Sequence, residues 1–265
     1  MSFERIVPGT NEWVAYHANH IQRYIFAEQL LRQLNLNNVL DAACGVGYGS
    51  YHLAKAGGMN VLGIDRSDEA LQIASKQFAH PSVTYCKDDC HTLEVAEKHS
   101  PFQAVVSFET IEHIPHPKKF LARCHKLLSK TDGRLIISSP NASVTDPEGI
   151  RDWEYHEREY KAGEFVELLA EAGFELISLF GQRYTALGLL RNDVRADLNR
   201  LRFNPFVRLG AWGQKLLRGR RNDYPMLPEQ VSDFEIVPLT SADDCEAKGK
   251  DGPFVIIGLL RPVSI

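Results

Sequence analysis

Short apolar runs alternate with segments of helical periodicity through most of the chain, and this order leaves few folds open. Each run is seven or eight residues long, which is typical of a buried strand. Seven such runs are recognisable, at 37–43, 60–67, 82–89, 102–108, 134–140, 174–180 and 253–260. Strands and helices in alternation predict right-handed βαβ units. We therefore expect an α/β fold of the Rossmann-like kind, with a doubly wound, mostly parallel, seven-stranded sheet.

The region 184–252 interrupts this rhythm and is predicted to be a basic, helical insertion between the last two strands. From Arg183 to Arg221 the chain has ten lysines and arginines against two acidic residues. If Pro205 begins a helix, cations flank an apolar stripe formed by Phe206, Leu209, Trp212, Leu216 and Leu217. Such a helix would pack on the core, cover a substrate, bind an anionic ligand or lie on an anionic membrane surface.

Composition indicates one ordinary globular domain over 1–265, with 44% hydrophobic and 24% charged residues. Within its first 36 residues we expect a helix from about Trp13 to Leu34. The net charge of −4 excludes a globally basic nucleic-acid binder, and we expect no DNA partner. No stretch approaches the ~18 apolar residues of a membrane span. Five cysteines without a C-x-x-C pair favour free thiols and a cytoplasmic location.

The first strand ends in DAACGVGYG, residues 41–49, which has the composition of a ligand-binding turn. Gly45 and Gly47 permit a tight turn and a close approach of the backbone to a ligand. Asp65 follows Gly45 by 20 residues and closes the second strand, where a carboxylate can bind the two hydroxyls of a ribose. A dinucleotide fingerprint has a third glycine where this chain has Ser50. The pattern therefore predicts a nucleoside-containing ligand other than NAD.

Residues 39–141 resemble the class I S-adenosylmethionine-dependent methyltransferases. The first motif of that family matches D-A-A-C-G-V-G. The loop that holds the adenine amine matches KDDC, in which we choose Asp89 over its neighbour Asp88. The resemblance implies S-adenosylmethionine as cofactor, with contacts from Asp41, Cys44, Gly45, Gly47, Tyr48, Asp65, Arg66, Asp89, Cys90, Phe108 and Tyr24.

A helix before the first motif often covers the cofactor in that family. The predicted N-terminal helix would then supply contacts from His20, Arg23 and Tyr24. The alternative is that this helix only packs on the sheet.

The stretch SFETIEH, residues 107–113, places two glutamates and a histidine behind the fourth strand. If the chain turns helical there, Glu109, Glu112 and His113 share one face at i, i+3 and i+4. Converging carboxylates repel one another unless one is protonated or a cation lies between them. A divalent metal would remove the conflict, and His156, before the next helix at the same sheet edge, offers a fourth donor. Alternatively, Glu112 pairs with a lysine or arginine on a solvated helix.

Mixed oxygen and imidazole donors suit Mg²⁺, Mn²⁺, Fe²⁺ or Zn²⁺, of which we expect Mg²⁺ or Mn²⁺. The set resembles the metal site of the small-RNA 2′-O-methyltransferases, and ubiquinone-biosynthesis O-methyltransferases show a similar E-x-x-E-H run. Both groups methylate one hydroxyl of a vicinal pair. The resemblance implies Glu109, Glu112, His113 and His156 as metal ligands and Glu112, His113 and His156 as catalytic residues. Without a metal, His113 or His156 would act as general base.

The expected function is methyl transfer to a hydroxyl of a polyhydroxylated small molecule. The start FER…PGT…H…RY and the turn SPN at 139–141 resemble methyltransferases encoded beside bacterial glycan-assembly enzymes. A sugar, free or carrier-linked, is therefore the first acceptor hypothesis. Three alternatives stay open: an RNA ribose 2′-O-methyltransferase, a metal-independent small-molecule N- or O-methyltransferase, and a nucleoside-binding protein without catalysis.

Overall fold

The computed structural model of the protein describes residues 6–149, 156–191, 230–242 and 252–263. Its strands are β1 Asn38–Ala42, β2 Asn60–Asp65, β3 Val83–Lys87, β4 Ala104–Ser107, β5 Arg134–Pro140, β6 Phe174–Tyr184, β7 Phe234–Leu239 and β8 Val255–Pro262. They form one sheet in the order β3-β2-β1-β4-β5-β8-β6-β7. The predicted doubly wound α/β fold is confirmed.

Helices fill the connections between strands. They are α1 Asn11–Gln33, α2 Tyr48–Gly57, α3 Asp68–Gln77, α4 Glu94–His99, α5 Pro117–Leu128, α6 Ala142–Thr145 and α7 Ala162–Glu171, with 3-10 helices at Ile111–His113 and Val231–Asp233. N-cap side chains set three of the starts, because Thr10 accepts from the Trp13 amide, Ser67 from the Ala70 amide and Asn141 from the Ser143 amide. Among the described helices, none combines the length and apolar character that crossing a bilayer requires.

The strand order reverses between β1 and β4, which are parallel neighbours in the middle of the sheet. Strands β1 to β5 all run in one direction, and β8 is inserted antiparallel between β5 and β6. In such sheets a crevice forms outside the carboxyl ends of the strands where the order reverses. The topology therefore directs a ligand to the ends of β1 and β4.

The prediction of seven strands is wrong, because the sheet has eight. The additional strand, β7, lies inside the region 184–252 that we expected to be helical, and it pairs antiparallel with β6 at the sheet edge. Its Pro238 is compatible with an edge position, where a missing backbone donor is tolerated. The predicted basic helix after Pro205 lies outside the described residues.

The core lies on both faces of the sheet, and β1 is buried on each. Val39 packs with Leu31 of α1 and Leu53 of α2, whereas the next residue, Leu40, packs on the opposite face with Phe120 of α5. Each of these side chains is fully buried, which stabilises the fold by about 1.5–3 kcal/mol per residue. The central strands, and with them the carboxyl edge, are thereby held rigidly.

Candidate active site

A cavity of about 450 Å³ opens at the carboxyl ends of the central strands. Its volume falls within the ~300–1,000 Å³ typical of small-molecule sites. Fifteen of the residues predicted for the site line it: His20, Arg23, Tyr24, Cys44, Gly45, Tyr48, Asp65, Arg66, Asp89, Cys90, Phe108, Glu109, Glu112, His113 and His156. Asp41 and Gly47 do not line it. The predicted cofactor residues and the E-x-x-E-H run therefore face one shared space.

The turn after β1 approaches the end of β2 closely. Gly47 has φ 89°, and a Cβ atom there would lie 2.7 Å from the hydroxyl oxygen of Tyr85, so only glycine fits. The Gly45 amide donates to Oδ2 of Asp65 at 3.0 Å, and the Ser67 amide donates to Oδ1 at 2.8 Å. These bonds fix the Asp65 carboxylate at the cavity wall. Because each oxygen accepts in more than one direction, the carboxylate can still receive ligand hydroxyls.

Asp41 lies fully buried behind the cavity wall. Its Oδ1 accepts from the Tyr24 hydroxyl at 3.1 Å and its Oδ2 from the Ser50 hydroxyl at 2.5 Å. This explains the serine at the position where a dinucleotide fingerprint has glycine. Burial raises the pKa of Asp41 from 3.8 to about 6, although both hydroxyls favour the charged form. In this structure Asp41 orients Tyr24 and the turn rather than lining the cavity.

The stability of the cofactor-free protein should fall between pH 4 and pH 7 because of Asp41. Asp41 ionises around pH 3.8 in the unfolded chain but only around pH 6 in the folded protein. Between these values the unfolded state is favoured increasingly as pH rises, and the free energy of unfolding decreases. This decrease is about 3 kcal/mol at neutral pH. We expect wild type to lose this amount relative to Asp41→Asn as pH rises, measured by urea unfolding at each pH. A constant difference between the two proteins would contradict the assignment.

The two acids after β3 have different roles. Oδ2 of Asp88 accepts from the Val95 and Ala96 amides, so this carboxylate caps the first turn of α4. Oδ1 of Asp89 accepts from the backbone amide of His91 at 2.7 Å and lies 2.9 Å from its Nδ1. The backbone hydrogen bond from His91 is the main cause that lowers the pKa of Asp89. Asp89 is therefore an exposed acceptor at the cavity wall, with a lowered pKa that favours its charged form.

Arg23 of α1 is a buried cation on the opposite wall. It is 1% exposed, and its Nη1 donates to Oε1 of Gln182 in β6 at 2.6 Å. Its Nη2 lies 4.0 Å from Oε2 of Glu109. Neither Nε nor Nη2 has a hydrogen-bond partner within the described part of the chain. Because buried N–H donors without a hydrogen-bond partner are costly, Nε and Nη2 fit an anionic group of a ligand.

Helix α1 packs directly against the start of α2, just after the glycine turn. A Cβ atom on Gly49 would lie 2.1 Å from the ring of Tyr24, so the glycine allows this close approach. The Tyr24 ring also packs edge-on against Phe108 at 5.0 Å. The helix thus brings His20, Arg23 and Tyr24 to the cavity, as the sequence suggested. Burial lowers the pKa of His20 well below its ordinary value, with Arg23 as a second cause.

The E-x-x-E-H run does not form the helical face that the sequence predicted. Glu109 has φ +50°, a left-handed conformation, and helical structure begins only at the 3-10 turn Ile111–His113. The Ser138 hydroxyl donates to Oε1 of Glu109 at 2.8 Å and accepts from its backbone amide at 3.1 Å. Glu109 therefore turns toward Ser138 and Arg23, away from the position that an α-helix would give it.

Glu112, His113 and His156 form the cluster that the run does produce. One donor atom from each lies within 4.8 Å of the other two. Glu112 is 1% exposed, and neither carboxylate oxygen has a hydrogen-bond partner among the described residues. Nε2 of His113 lies 3.9 Å from Oε1 of Glu112. Burial first, and then Glu109, raises the pKa of Glu112 well above its ordinary value. These conditions fit a site for a divalent cation.

Backbone hydrogen bonds bring His156 to this cluster across 43 positions of sequence. The carbonyl of Glu112 accepts from the amides of Glu157 and Arg158 at 2.7 and 3.2 Å. The His156 ring lies edge-on to the His113 ring, with centroids 4.7 Å apart. The turn after β4 and the segment before α7 are thereby joined at the cavity.

Three residues that support the site were not found from the sequence. His91 holds Asp89, Gln182 holds Arg23, and Glu159 lies 2.9 Å from Nδ1 of His156. Only Glu159 had a local signal, its spacing of three from His156. The contact of Gln182 with Arg23 spans 159 residues, and no sequence pattern announces such a pair.

Comparisons with known proteins agree on one family. A sequence model of the methyltransferase domain matches residues 16–179. A probable S-adenosylmethionine-dependent methyltransferase of Mycolicibacterium smegmatis is 29% identical over 248 residues, 91% of this chain and 88% of that protein. A ubiquinone biosynthesis O-methyltransferase of Neisseria meningitidis is 28% identical over 167 residues, 56% of this chain and 68% of that protein.

A solved structure from Thermotoga maritima is similar in fold. It is described as an S-adenosylmethionine-dependent methyltransferase and possible histamine N-methyltransferase. It superposes with a TM-score of 0.57 over 95% of each chain, at 15% identity. This likeness concerns the α/β architecture alone.

Proposed function

This chain belongs to the class I S-adenosylmethionine-dependent methyltransferases, and we propose that it methylates a hydroxyl oxygen of an acceptor with adjacent hydroxyls. The observation that carries the proposal is the cluster Glu112, His113 and His156, which lines the same cavity as the glycine turn. Free or carrier-linked sugars are the acceptor class we expect.

The residues around the turn fit S-adenosylmethionine. Asp65 accepts from ribose hydroxyls, and the backbone at Gly45 leaves open space for the nucleoside, since a Cβ atom there would meet nothing within 4 Å. Asp89 accepts from the adenine amine. Arg23, whose buried Nε and Nη2 have no hydrogen-bond partner in the described structure, holds the carboxylate of the methionine part.

Methylation of a hydroxyl acceptor requires more than aligning its oxygen with the methyl group. The sulfonium supplies an activated methyl group, and holding two reactants in line contributes about 7–11 kcal/mol. Alignment alone would serve an amine, but an alcohol must also lose its proton as the oxygen–carbon bond forms. The cluster Glu112, His113 and His156 supports a hydroxyl acceptor because it provides basic side chains at the cavity wall.

A divalent metal fits the same three side chains. Glu112 shows why a cation fits. Its buried oxygens have no hydrogen-bond partner among the described residues, and its negative charge is costly there without a cation. Glu112, His113 and His156 would hold the ion, which would orient adjacent hydroxyls and lower their pKa. Glu109 would lie beside the cluster, where its side chain contacts Ser138 and Arg23. Without a metal, His113 would instead act as the general base that takes the proton of the hydroxyl.

Methyl transfer to matched acceptors tests the proposal. Labelled S-adenosylmethionine is offered with sugars carrying adjacent hydroxyls, with their deoxy analogues, with an amine and with a short RNA. We expect methyl ethers on the vicinal diols, lost after EDTA treatment and restored by Mn²⁺ or Mg²⁺. Methylation of the amine would overturn the hydroxyl assignment, EDTA-resistant activity would overturn the metal, and preference for RNA would favour ribose 2′-O-methylation.

A further inference from the structure

We propose that Glu159 is a positioning residue that fixes the His156 ring in the tautomer protonated at Nδ1. The lone pair then lies on Nε2, on the ring edge away from Glu159. This inference rests on the proposed function, because His156 belongs to the cluster on which that function depends. It adds a residue that neither touches the acceptor nor holds the cofactor.

The contact between the two side chains is short and shielded from water. Oε1 of Glu159 lies 2.9 Å from Nδ1 of His156, and the Glu159 side chain is 5% exposed. The other oxygen of this carboxylate accepts from the Thr145 hydroxyl, and a carboxylate that accepts at both oxygens needs a proton on the ring nitrogen facing it. In a neutral imidazole the other nitrogen is then an acceptor. Glu159 thus determines which ring nitrogen can act as ligand or base.

Glu159 is itself held by the segment that follows β5. The Thr145 hydroxyl at the end of α6 donates to Oε2 of Glu159 and lies 3.0 Å from the carbonyl of Asn141. The Ala142 amide donates to the carbonyl of Tyr160 at 3.0 Å, which joins the two segments by backbone. Both oxygens of the carboxylate are therefore engaged, and its orientation is fixed before any ligand arrives.

The backbone beside the His156 ring is fixed, and the ring lies close to the other two side chains of the cluster. The amide that follows His156 donates to the carbonyl of Glu112, which fixes the backbone beside the ring. One donor atom of the ring lies within 4.8 Å of its counterparts on Glu112 and His113. Partners of this kind, behind a histidine ligand, change metal affinity by about 10–100-fold when removed. Loss of Glu159 would leave the backbone in place. The ring could then rotate and adopt either tautomer.

The tautomer can be measured directly without metal, cofactor or acceptor. Long-range ¹H–¹⁵N correlation on the ¹⁵N-histidine-labelled full chain at pH 8 separates protonated from unprotonated ring nitrogens, with His156→Asn to assign the signals. We expect His156 to show a protonated Nδ1 and an unprotonated Nε2. In Glu159→Ala we expect this preference to be lost. A wild-type ring protonated at Nε2, or a Glu159→Ala spectrum like wild type, would overturn the proposal.

Two pairs of variants separate positioning from general damage. Glu157→Ala removes an equal charge from the exposed side chain next to His156 and should leave the spectrum unchanged. Thr145→Ser keeps the hydroxyl that holds Glu159, whereas Thr145→Val removes it. Of these two variants, only Thr145→Val should show part of the change in the His156 signals that Glu159→Ala shows. Equal affinity of all variants for S-adenosylhomocysteine would show that the fold and the cofactor wall are intact.

Mn²⁺ binding, followed by electron paramagnetic resonance of the free ion, distinguishes this proposal from the proposed function. We expect Glu159→Ala to weaken Mn²⁺ binding by about 10–100-fold. If wild type binds no Mn²⁺ but Glu159→Ala changes the tautomer, the metal is wrong and the positioning role stands for a general base. If wild type binds Mn²⁺ and Glu159→Ala alters neither affinity nor tautomer, the positioning role is wrong.

Discussion

Glu112→Gln is expected to lower kcat by about 1,000-fold or more, which corresponds to about 4 kcal/mol of transition-state stabilisation. The amide keeps the size of the side chain and removes its charge, which is the property that a cation would need. Affinity for S-adenosylmethionine should stay within about threefold, because Glu112 lies apart from the residues assigned to the nucleoside. Steady-state kinetics and calorimetric binding of the cofactor give the two quantities.

The same variant should be more stable than wild type without metal. Glu112 is buried, its oxygens have no hydrogen-bond partners in the described residues, and burial raises its pKa well above the ordinary value, so burying its charge or protonating it opposes folding. Removing the charge removes that cost above the ordinary pKa of a glutamate. The matched control, Glu157→Gln, changes an exposed side chain nearby and should alter neither activity nor thermal stability. Activity of Glu112→Gln within tenfold of wild type would contradict a catalytic role.

Asp65→Ala is expected to raise the Kd for S-adenosylmethionine by about 100-fold or more. Hydrogen bonds to a charged carboxylate contribute about 1.5–3 kcal/mol each, and two ribose hydroxyls would lose this partner. The backbone amides of Gly45 and Ser67 lose their acceptor as well, so the turn itself would loosen. Isothermal titration with S-adenosylhomocysteine measures the loss without turnover.

Two other substitutions separate the ribose contact from the turn. Asp65→Asn keeps the shape and one acceptor oxygen, and its affinity should be intermediate. Asp68→Ala removes an exposed acid three positions later, paired with Lys87 at 2.6 Å, and should leave the Kd unchanged. If Asp65→Ala binds within threefold of wild type, the nucleoside does not occupy the proposed position.

The position of the glycine turn and of Asp65 at the cavity was predictable because the signals are local. A strand, a glycine turn and a helix follow one another within 20 residues, and Asp65 ends the next strand. Parallel neighbours bring these ends together whatever the rest of the chain does. The same reasoning located Glu109, Glu112 and His113 at the end of β4. Sequence order thus determined the edge of the sheet and the neighbourhood of the acids.

The orientation of individual side chains was not predictable. Spacing predicted that Glu109 would join Glu112 on a helical face, but the backbone of Glu109 is left-handed and its side chain meets Ser138 of β5. The strand β7 was missed for a related reason. Its pairing with β6 comes from a distant segment, and Pro238 weakens the strand pattern. Residues distant in sequence determine both the orientation of Glu109 and the pairing of β7. Local periodicity carries no information about such residues.

The attachment of Arg23 to the far strands makes the two sides of the cavity energetically interdependent. Gln182 of β6 holds Arg23 and also donates to Gln22, which in turn donates to the carbonyl of Phe234 in β7. A molecule that displaces the β6–β7 pair would therefore displace the guanidinium. By reciprocity, a ligand anchored on Arg23 would bias that strand pair by an equal free energy. If Arg23 holds the methyl donor as proposed, affinity for the donor would change whenever β6 and β7 are displaced.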